Sequence, residues 1–579
     1  MLLYSIALLL APLAGAACYE PSSAHPPPEY DADDAQLKLA FESITHDLDA
    51  LAAPHKHNST SFSVEITSAK ESLWSYHHTA RSRNESRPDI PTVNGDALYR
   101  IASITKAFTV LGLLYQHAAG NLSLDDTIDR YVEELRGNDT GSIQWRHITL
   151  RTLASQLSGI PREFAQADII NLIPKPWELG LPPLSRDGLP ECDEYGHDFE
   201  PPCAKHDLID TIISKAPTFA PNQKSTYSNV AFELLGLAIE NVTGQAYNTY
   251  INEAIFKPLG MSKSTLSTPP DSAGVIPVEP HYWDVDEGIQ APTGGIYSSS
   301  SDLSAFLRYV LTHHNNITPA LNWAHPHSPA EGLHSFYGMP WEILQTDKIL
   351  LDSQRPVRFI TKGGGLPGYQ SIIIFMPEYD LGITLLVAGP GLAIMDKMLE
   401  RVLVQVVRAA EQLSIRQLEA RYAGTYAAAR GHVNSSITLV ADTRGLVVTQ
   451  LVSNSTNLLS PPVLGLLNVP EDRAGYLQLV PTGMYSDEEE REGERWRMVT
   501  VEGRDEGARG ILDDFCITDV EEYSYAGIPI NEVALWEGEG GKNGGVVDVV
   551  ELTAFRVKLE RLGTEDELDR DDAQEQLEL

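Results

Sequence analysis

Beyond Tyr426 the chain changes character, and this change limits the fold more than any other feature of the sequence. Up to about residue 420, helical periodicities alternate with a few strand-like runs. After it come short apolar runs at 436–441 (SITLVA), 445–452 (GLVVTQLV), 476–481 (YLQLVP), 496–502 (WRMVTVE) and 544–557, separated by turn residues at the spacing of an antiparallel meander. The pattern predicts two unequal parts, a mixed α+β domain over 36–420 and an all-β domain over 421–563. In the first part, helix signals stand from Asp34 and at 103–117, 206–215, 229–242, 246–256, 301–313 and 394–420, with strands at 60–67, 71–79, 357–362, 370–376 and 381–388. The stretch 165–210 holds seven prolines and two cysteines and reads as a long, lid-like insertion.

The 579 residues carry 43 Lys+Arg against 80 Asp+Glu, a net charge of −37. So negative a field repels phosphates and anionic lipid, which disfavours nucleic acid and membrane surfaces as partners. Two acidic runs, 487–494 and 564–579, read as a solvated hairpin loop and a disordered tail.

At the other end, residues 2–17 form an apolar run closed by Ala14, Gly15 and Ala16, the pattern of a signal peptide with a small-residue cleavage site; a short anchor is the alternative. Residues 18–35 are a Pro-rich arm. Eight N-x-S/T triplets, headed by Asn58, Asn84, Asn121, Asn138, Asn241, Asn316, Asn434 and Asn454, exceed the roughly three expected by chance. Secretion through a glycosylating eukaryotic pathway is the expectation, with no membrane partner after cleavage. The four cysteines then default to two disulfides, Cys192 with Cys203 as a local staple and Cys18 with Cys516 if cleavage spares Cys18. A zinc cluster of Cys192, His197, Cys203 and His206 is the rival, although its spacing fits no common motif. No motif calls for a metal or an organic cofactor.

Three short strings carry chemistry. In YRIASITKAFTVLGLLYQ (99–116), Ser103 and Lys106 stand three apart where a loop turns into an apolar helix, so the amine can reach the hydroxyl near a helix N-terminus. In STYSNVAFELLGL (225–237), Tyr227 could act as a base if cations lower its pKa, and Asn229 could donate to a substrate carbonyl. In TKGGGLPGY (361–369), glycines let a substrate lie against a strand edge, and Lys362 supplies positive charge. Read singly, each has an ordinary structural explanation: a helix cap with a solvated lysine, a core aromatic, a tight turn.

Together and in this order, the three strings resemble the serine β-lactamase and D-alanyl-D-alanine carboxypeptidase superfamily, in its class C β-lactamase and esterase-like branch. ITLRTLASQLSGIP (148–161), INEAIFKPLGMSKST (251–265), TGGIYSSSSDLSAFLRYV (293–310) and GLPGYQSIIIFMPEYDLGITLLV (365–387) look like further recurring segments, so the resemblance covers about 60–400. The remainder is similar to secreted fungal β-lactamase-like proteins. The resemblance implies an α+β fold: an antiparallel sheet flanked by helices, and an all-helical subdomain from about 120–290 with Ser103 at their junction. A smaller C-terminal all-β domain, lipocalin-like in form, would follow. It also implies that Ser103 is the acylated nucleophile, Lys106 its proton acceptor and Tyr227 the base. Asn229, Lys362 and Gly364 would bind substrate, and the backbone N–H groups of Ser103 and Gly365 would form the oxyanion hole.

One departure bears on substrate. Where this branch carries Lys-Thr-Gly, the chain has Lys362, Gly363 and Gly364. The missing hydroxyl removes a charge-assisted hydrogen bond to a substrate carboxylate, on the order of 1.5–3 kcal/mol. Esters and thioesters are then better candidates than β-lactams or D-Ala-D-Ala peptides. The readings that follow are a secreted serine hydrolase acting on a small-molecule ester, amide or lactam; an acyltransferase or cyclising enzyme of secondary metabolism using the same acyl-serine; and a non-catalytic descendant that only binds.

Overall fold

The computed structural model describes residues 24–563 apart from 86, 138–142, 166–167, 174, 188, 190–191, 193–201, 279–281, 391–393, 430–432, 461–474, 503–519, 522 and 539–544. The signal-peptide run, Cys18, Asn138, His197, Cys516 and the acidic tail lie outside the described residues. The chain forms two compact units: 30–346 with 358–406, and the described parts of 1–29, 347–357 and 407–579.

The larger unit opens with helix α1 (Ala35–Ala52), whose start is set by Asp34, its side chain accepting from Leu37 N. Leu37, Phe41, Ile44 and Leu48 recur at helical spacing and form its buried stripe. Next come strands β1 (Ser61–Thr67) and β2 (Ser72–His78), then helices α2 (Thr105–Ala118), α3 (Lys205–Ser214), α4 (Val230–Thr243) and α5 (Ser300–His313). Six strands follow: β3 (Ser328–Pro329), β4 (Ser335–Tyr337), β5 (Glu342–Thr346), β6 (Val357–Leu366), β7 (Tyr369–Met376) and β8 (Leu381–Ala388). They join β1 and β2 in one eight-stranded sheet of order β2-β1-β8-β7-β6-β5-β4-β3. Strands far apart in sequence are therefore neighbours: β1 pairs β8 in antiparallel register from Ser61↔Ala388 to Thr67↔Gly382. Helix α5 packs on β1 and β8. The fit is close enough that a Cβ at Gly382 would lie 3.0 Å from that of Leu307.

Helix α2 is buried at every position from Thr105 to Leu114, so it is a central rather than a surface helix. Phe108 stacks on Phe306 at 4.3 Å between ring centroids and meets Phe256 edge-on at 5.7 Å. Among the described residues, 120–290 carries helices, 3-10 turns and loops, as expected for the helical subdomain. Cys192 and Cys203 are joined by a disulfide within the 165–210 insertion. Both sulfurs are thereby consumed and His206 turns to Asp207 at 3.3 Å, which overturns the zinc alternative. Asn121, Asn241, Asn316, Asn434 and Asn454 are exposed, and Asn58 and Asn84 are half-buried.

The last helix, α6 (Ile394–Tyr422), leads into the second unit. Its strands are β9 (Gly424–Ala427), β10 (Ser436–Asp442), β11 (Gly445–Ser453), β12 (Gly475–Asp487), β13 (Glu492–Glu502), β14 (Glu532–Glu537), β15 (Val547–Leu552) and β16 (Val557–Arg561). The order β10-β9-β16-β15-β14-β13-β12-β11, with a short ninth strand at Thr456–Asn457 beside β11, closes through a β10–β11 pairing into an antiparallel barrel. Alternate residues Leu477 and Leu479, Trp496 and Met498, Val533 and Leu535, Val550 and Leu552 fill its core. The acidic run 487–494 turns the β12–β13 hairpin, as expected. Two readings change. The run 544–557 is not one strand but supplies β15 and the start of β16, because the chain reverses at Thr553–Arg556, with Arg556 at φ 55°. Strand β14 carries too few alternating residues to stand out in the sequence.

A buried ion cluster ties three segments of the second unit. Glu411 on α6 accepts from His25 Nε2 at 3.1 Å and from the Arg355 guanidinium. Burial raises the Glu411 pKa, but His25 and Arg355 outweigh it and hold the carboxyl down at about 2. With its folded pKa depressed from 4.5, the carboxylate stabilises the fold above about pH 4.5, and that contribution fades as pH falls towards 2. Glu411→Ala leaves the Arg355 charge buried without this partner. The expected loss is about 3–5 kcal/mol at pH 7, narrowing below pH 4, as read by thermal unfolding across pH.

Candidate active site

Ser103 sits in a 3-10 turn, Ala102–Ile104, that runs directly into α2. The helix starts at Thr105 rather than at Ser103, because Ala102 is held at φ 47°, a left-handed conformation unusual for a residue with a Cβ. Such strain persists only where neighbours enforce it. Here Ser371 Oγ on β7 donates to Ile101 O at 2.7 Å, and Ile101 N donates to Ile296 O at 3.1 Å. The nucleophile turn is thus fastened to the sheet.

Lys106, one turn further on, is fully buried. Its Nζ donates to Ser103 Oγ at 2.9 Å and to Thr293 O at 3.0 Å. Tyr227 comes from the loop before α4, which is held by Ser228: its N donates to Gln156 Oε1 and its Oγ to Pro161 O, both at 2.7 Å. The ammonium groups of Lys106 and Lys362 lie 5.1 and 5.3 Å from the centre of the Tyr227 ring, and the Arg162 guanidinium lies 4.9 Å from it. The structure therefore brings together Ser103 and Lys106, Tyr227, and Lys362 from three separate segments.

This clustering shifts Tyr227, Lys106 and Lys362. Burial pushes the Tyr227 phenol up, but Lys106 and Lys362 pull it down further, aided by the Ser103 hydroxyl, so its pKa falls below the ordinary tyrosine value. Burial also lowers Lys106; Tyr227 opposes this, Lys362 adds to it, and the net shift is downward. Lys362 moves the other way. Burial would lower it, but Glu342 and Tyr227 more than compensate, so it stays a firm cation.

Strand β6 runs beside the nucleophile turn. A Cβ at Gly364 would fall 2.3 Å from Ile101 O, 2.6 Å from Ser371 Oγ and 3.0 Å from Ser103 N. A backbone oxygen cannot swing aside as a side chain can. Gly364→Ala is accordingly expected to part β6 from the turn, lowering stability by about 1–3 kcal/mol and ester turnover by at least about tenfold. Thermal unfolding and an ester assay check this. Gly365→Ala is the matched stability control, since nothing lies within 4 Å of its Cβ position.

Asn229 also reaches the site, but its amide group is engaged. Nδ2 donates to Glu163 Oε1 at 2.5 Å, while the buried Oδ1 has no hydrogen-bond partner among the described residues. The donor that the sequence suggested for a substrate carbonyl is thus directed at Glu163. Burial raises the Glu163 pKa despite Arg162 at 3.2 Å. Glu342, on β5, was the other residue missed: its Oε1 accepts from Lys362 Nζ at 2.7 Å and its Oε2 from Gly363 N at 3.0 Å. Glu163 stands two residues past the SGIP segment and could have been noticed. Glu342 lies in no motif, and only sheet order brings it to Lys362. Among the described residues no set of three or more His, Cys, Asp or Glu side chains is grouped as a metal site.

The β-lactamase family model matches residues 66–406, a segment that contains Ser103, Lys106, Tyr227, Asn229 and Lys362. The chain belongs to the β-lactamase family. A second model, described as a β-lactamase-like C-terminal domain, matches 414–563 of this β-lactamase-family chain and so takes in the barrel. "Probable hydrolase M10" of a Phoma species is 32% identical to it, over 93% of this chain and 90% of that protein. "Probable hydrolase clz13" of Cochliobolus lunatus is 31% identical over 96% and 94%, and a "Beta-lactamase-like protein" of Arthroderma benhamiae 27% over 94% and 96%. Among solved structures, a class C β-lactamase matches 65% of this chain and 98% of its own at 18% identity and a TM-score of 0.47. A D-stereospecific amidohydrolase from a Streptomyces species matches 62% and 97% at 21% identity and 0.46.

Proposed function

We propose that this β-lactamase-family protein is a secreted serine hydrolase that works through an acyl-enzyme on Ser103, with an ester, amide or lactam as substrate. The observation that carries the reading is the hydrogen bond from Lys106 to the Ser103 hydroxyl beside a phenol flanked by two ammonium groups. Tyr227, held towards its deprotonated form, takes the Ser103 proton as Oγ bonds to the substrate carbonyl carbon. The carbonyl oxygen becomes an anion, for which the N–H groups of Ser103 and Gly365 and the start of α2 are the donors. Collapse breaks the bond to the leaving group, which receives the proton from Tyr227. Water then repeats the sequence: Tyr227 accepts its proton, the hydroxyl oxygen bonds to the acyl carbon, and the bond to Ser103 breaks as the serine regains a proton. Positioned proton transfer of this kind contributes about 10²–10⁴ in rate. The apolar N-terminal run and the exposed sequon asparagines support secretion.

The test is turnover of a panel of p-nitrophenyl esters and nitrocefin, with and without an added primary alcohol. Release of nitrophenol with free acid as product supports hydrolysis. Capture of the acyl group by the alcohol in preference to water would move the chain to the acyltransferase reading, and absence of any turnover would favour a binding protein.

A further inference from the structure

Lys362 is the cation that a substrate carboxylate would need, yet within this chain it is already matched. Its buried Nζ donates to Glu342 Oε1 at 2.7 Å and to Gly363 O at 2.8 Å, and it also faces the Tyr227 phenol. Glu342 Oε2 takes the adjoining backbone donor, Gly363 N, at 3.0 Å. One internal carboxylate thus occupies both the ammonium and the neighbouring N–H, the pair of donors a bound anion would seek. The Glu342 side chain is 36% exposed while that of Lys362 is 1% exposed, so an incoming ligand meets the carboxylate and not the ammonium. The other cation facing the Tyr227 ring, the Arg162 guanidinium, is 64% exposed to water and lies 3.2 Å from Glu163.

We infer that Glu342 is a specificity-determining residue: it fills the anion position beside Lys362 and restricts the site to neutral or cationic acyl substrates, excluding those with a carboxylate near the scissile carbonyl. This rests on the acyl-enzyme reading of Ser103. A carboxylate seated against a buried cation rejects a second one by direct repulsion and by leaving it without donors.

The test is a charge series with one acyl group: 3-acetoxybenzoate, its methyl ester, and 3-acetoxy-N,N,N-trimethylanilinium, each rate divided by its own hydroxide-catalysed rate. The full chain is expected to favour the neutral and cationic esters over the anionic one by at least about thirtyfold in kcat/KM. The preference should persist in 0.5 M salt, which screens the long-range field of the acidic chain but not a contact inside the site. Glu342→Gln and Glu342→Ala are each expected to narrow the gap by tenfold or more, and either serves if its melting temperature stays within a few degrees. Equal rates for the three esters, loss of the preference in salt, or an unchanged ratio in a folded variant would overturn the inference and leave the acyl-enzyme reading standing. No turnover across the series, together with an unreactive Ser103, would overturn both.

Discussion

Ser103→Ala is expected to remove ester turnover, with a fall in kcat on the order of 10⁴–10⁶ and little change in melting temperature. The size follows from the arrangement. Lys106 is fully buried and aims its Nζ at Ser103 Oγ, and the Tyr227 phenol stands beside it, so each partner acts through that one oxygen. Without it the remaining groups can only bind and polarise. The hydroxyl contributes little to packing, so the variant should fold. A residual activity within tenfold of the parent would mean that another nucleophile does the work.

Tyr227→Phe is the second large effect, with kcat expected to fall about 10²–10⁴-fold while KM stays within a few fold. The ring remains between Lys106 and Lys362, so the packing is kept and only the proton acceptor is lost. The pH profile separates this from a structural role. Lys106 from α2 and Lys362 from β6 lower the Tyr227 pKa, while burial and Glu342 on β5 raise it. Arg162 also faces the ring, and Tyr337 on β4 is coupled to the same charges. Activity that needs the phenolate should therefore rise with pH, and do so below the ordinary phenol value of about 10. Tyr227→Phe should abolish that rise. A variant that keeps both rate and profile would remove Tyr227 from the mechanism and leave Lys106 as the base.

The parts of this site that could be read in the sequence are those set by local geometry. Ser103 and Lys106 meet because one helical turn separates them, and Tyr227 and Asn229 share one loop entering α4. Strands β7 and β8 showed through because buried strands are continuously apolar, as in 370–376 and 381–388. What stayed hidden depends on pairing over long distances. Glu342 reaches Lys362 because β5 lies beside β6 in the sheet, and nothing in the hydrophobic pattern specifies that neighbour. Glu163 is visible as a residue, but its hydrogen bond to Asn229 depends on how two separate loops pack and is not. In the barrel, the turn at Thr553–Arg556 lacks Gly and Pro, so the run through it reads as continuous where the chain makes a hairpin. The cluster of His25, Arg355 and Glu411 draws on three segments far apart in the chain, each unremarkable by itself.

The most direct test of the central claim is intact-mass spectrometry of the glycosidase-treated protein after exposure to a fluorophosphonate, followed by peptide mapping, with Ser103→Ala alongside. The account predicts one adduct per chain, mapped to Ser103, and none in the variant. An unlabelled Ser103 in folded protein, or an adduct that survives Ser103→Ala, would contradict it.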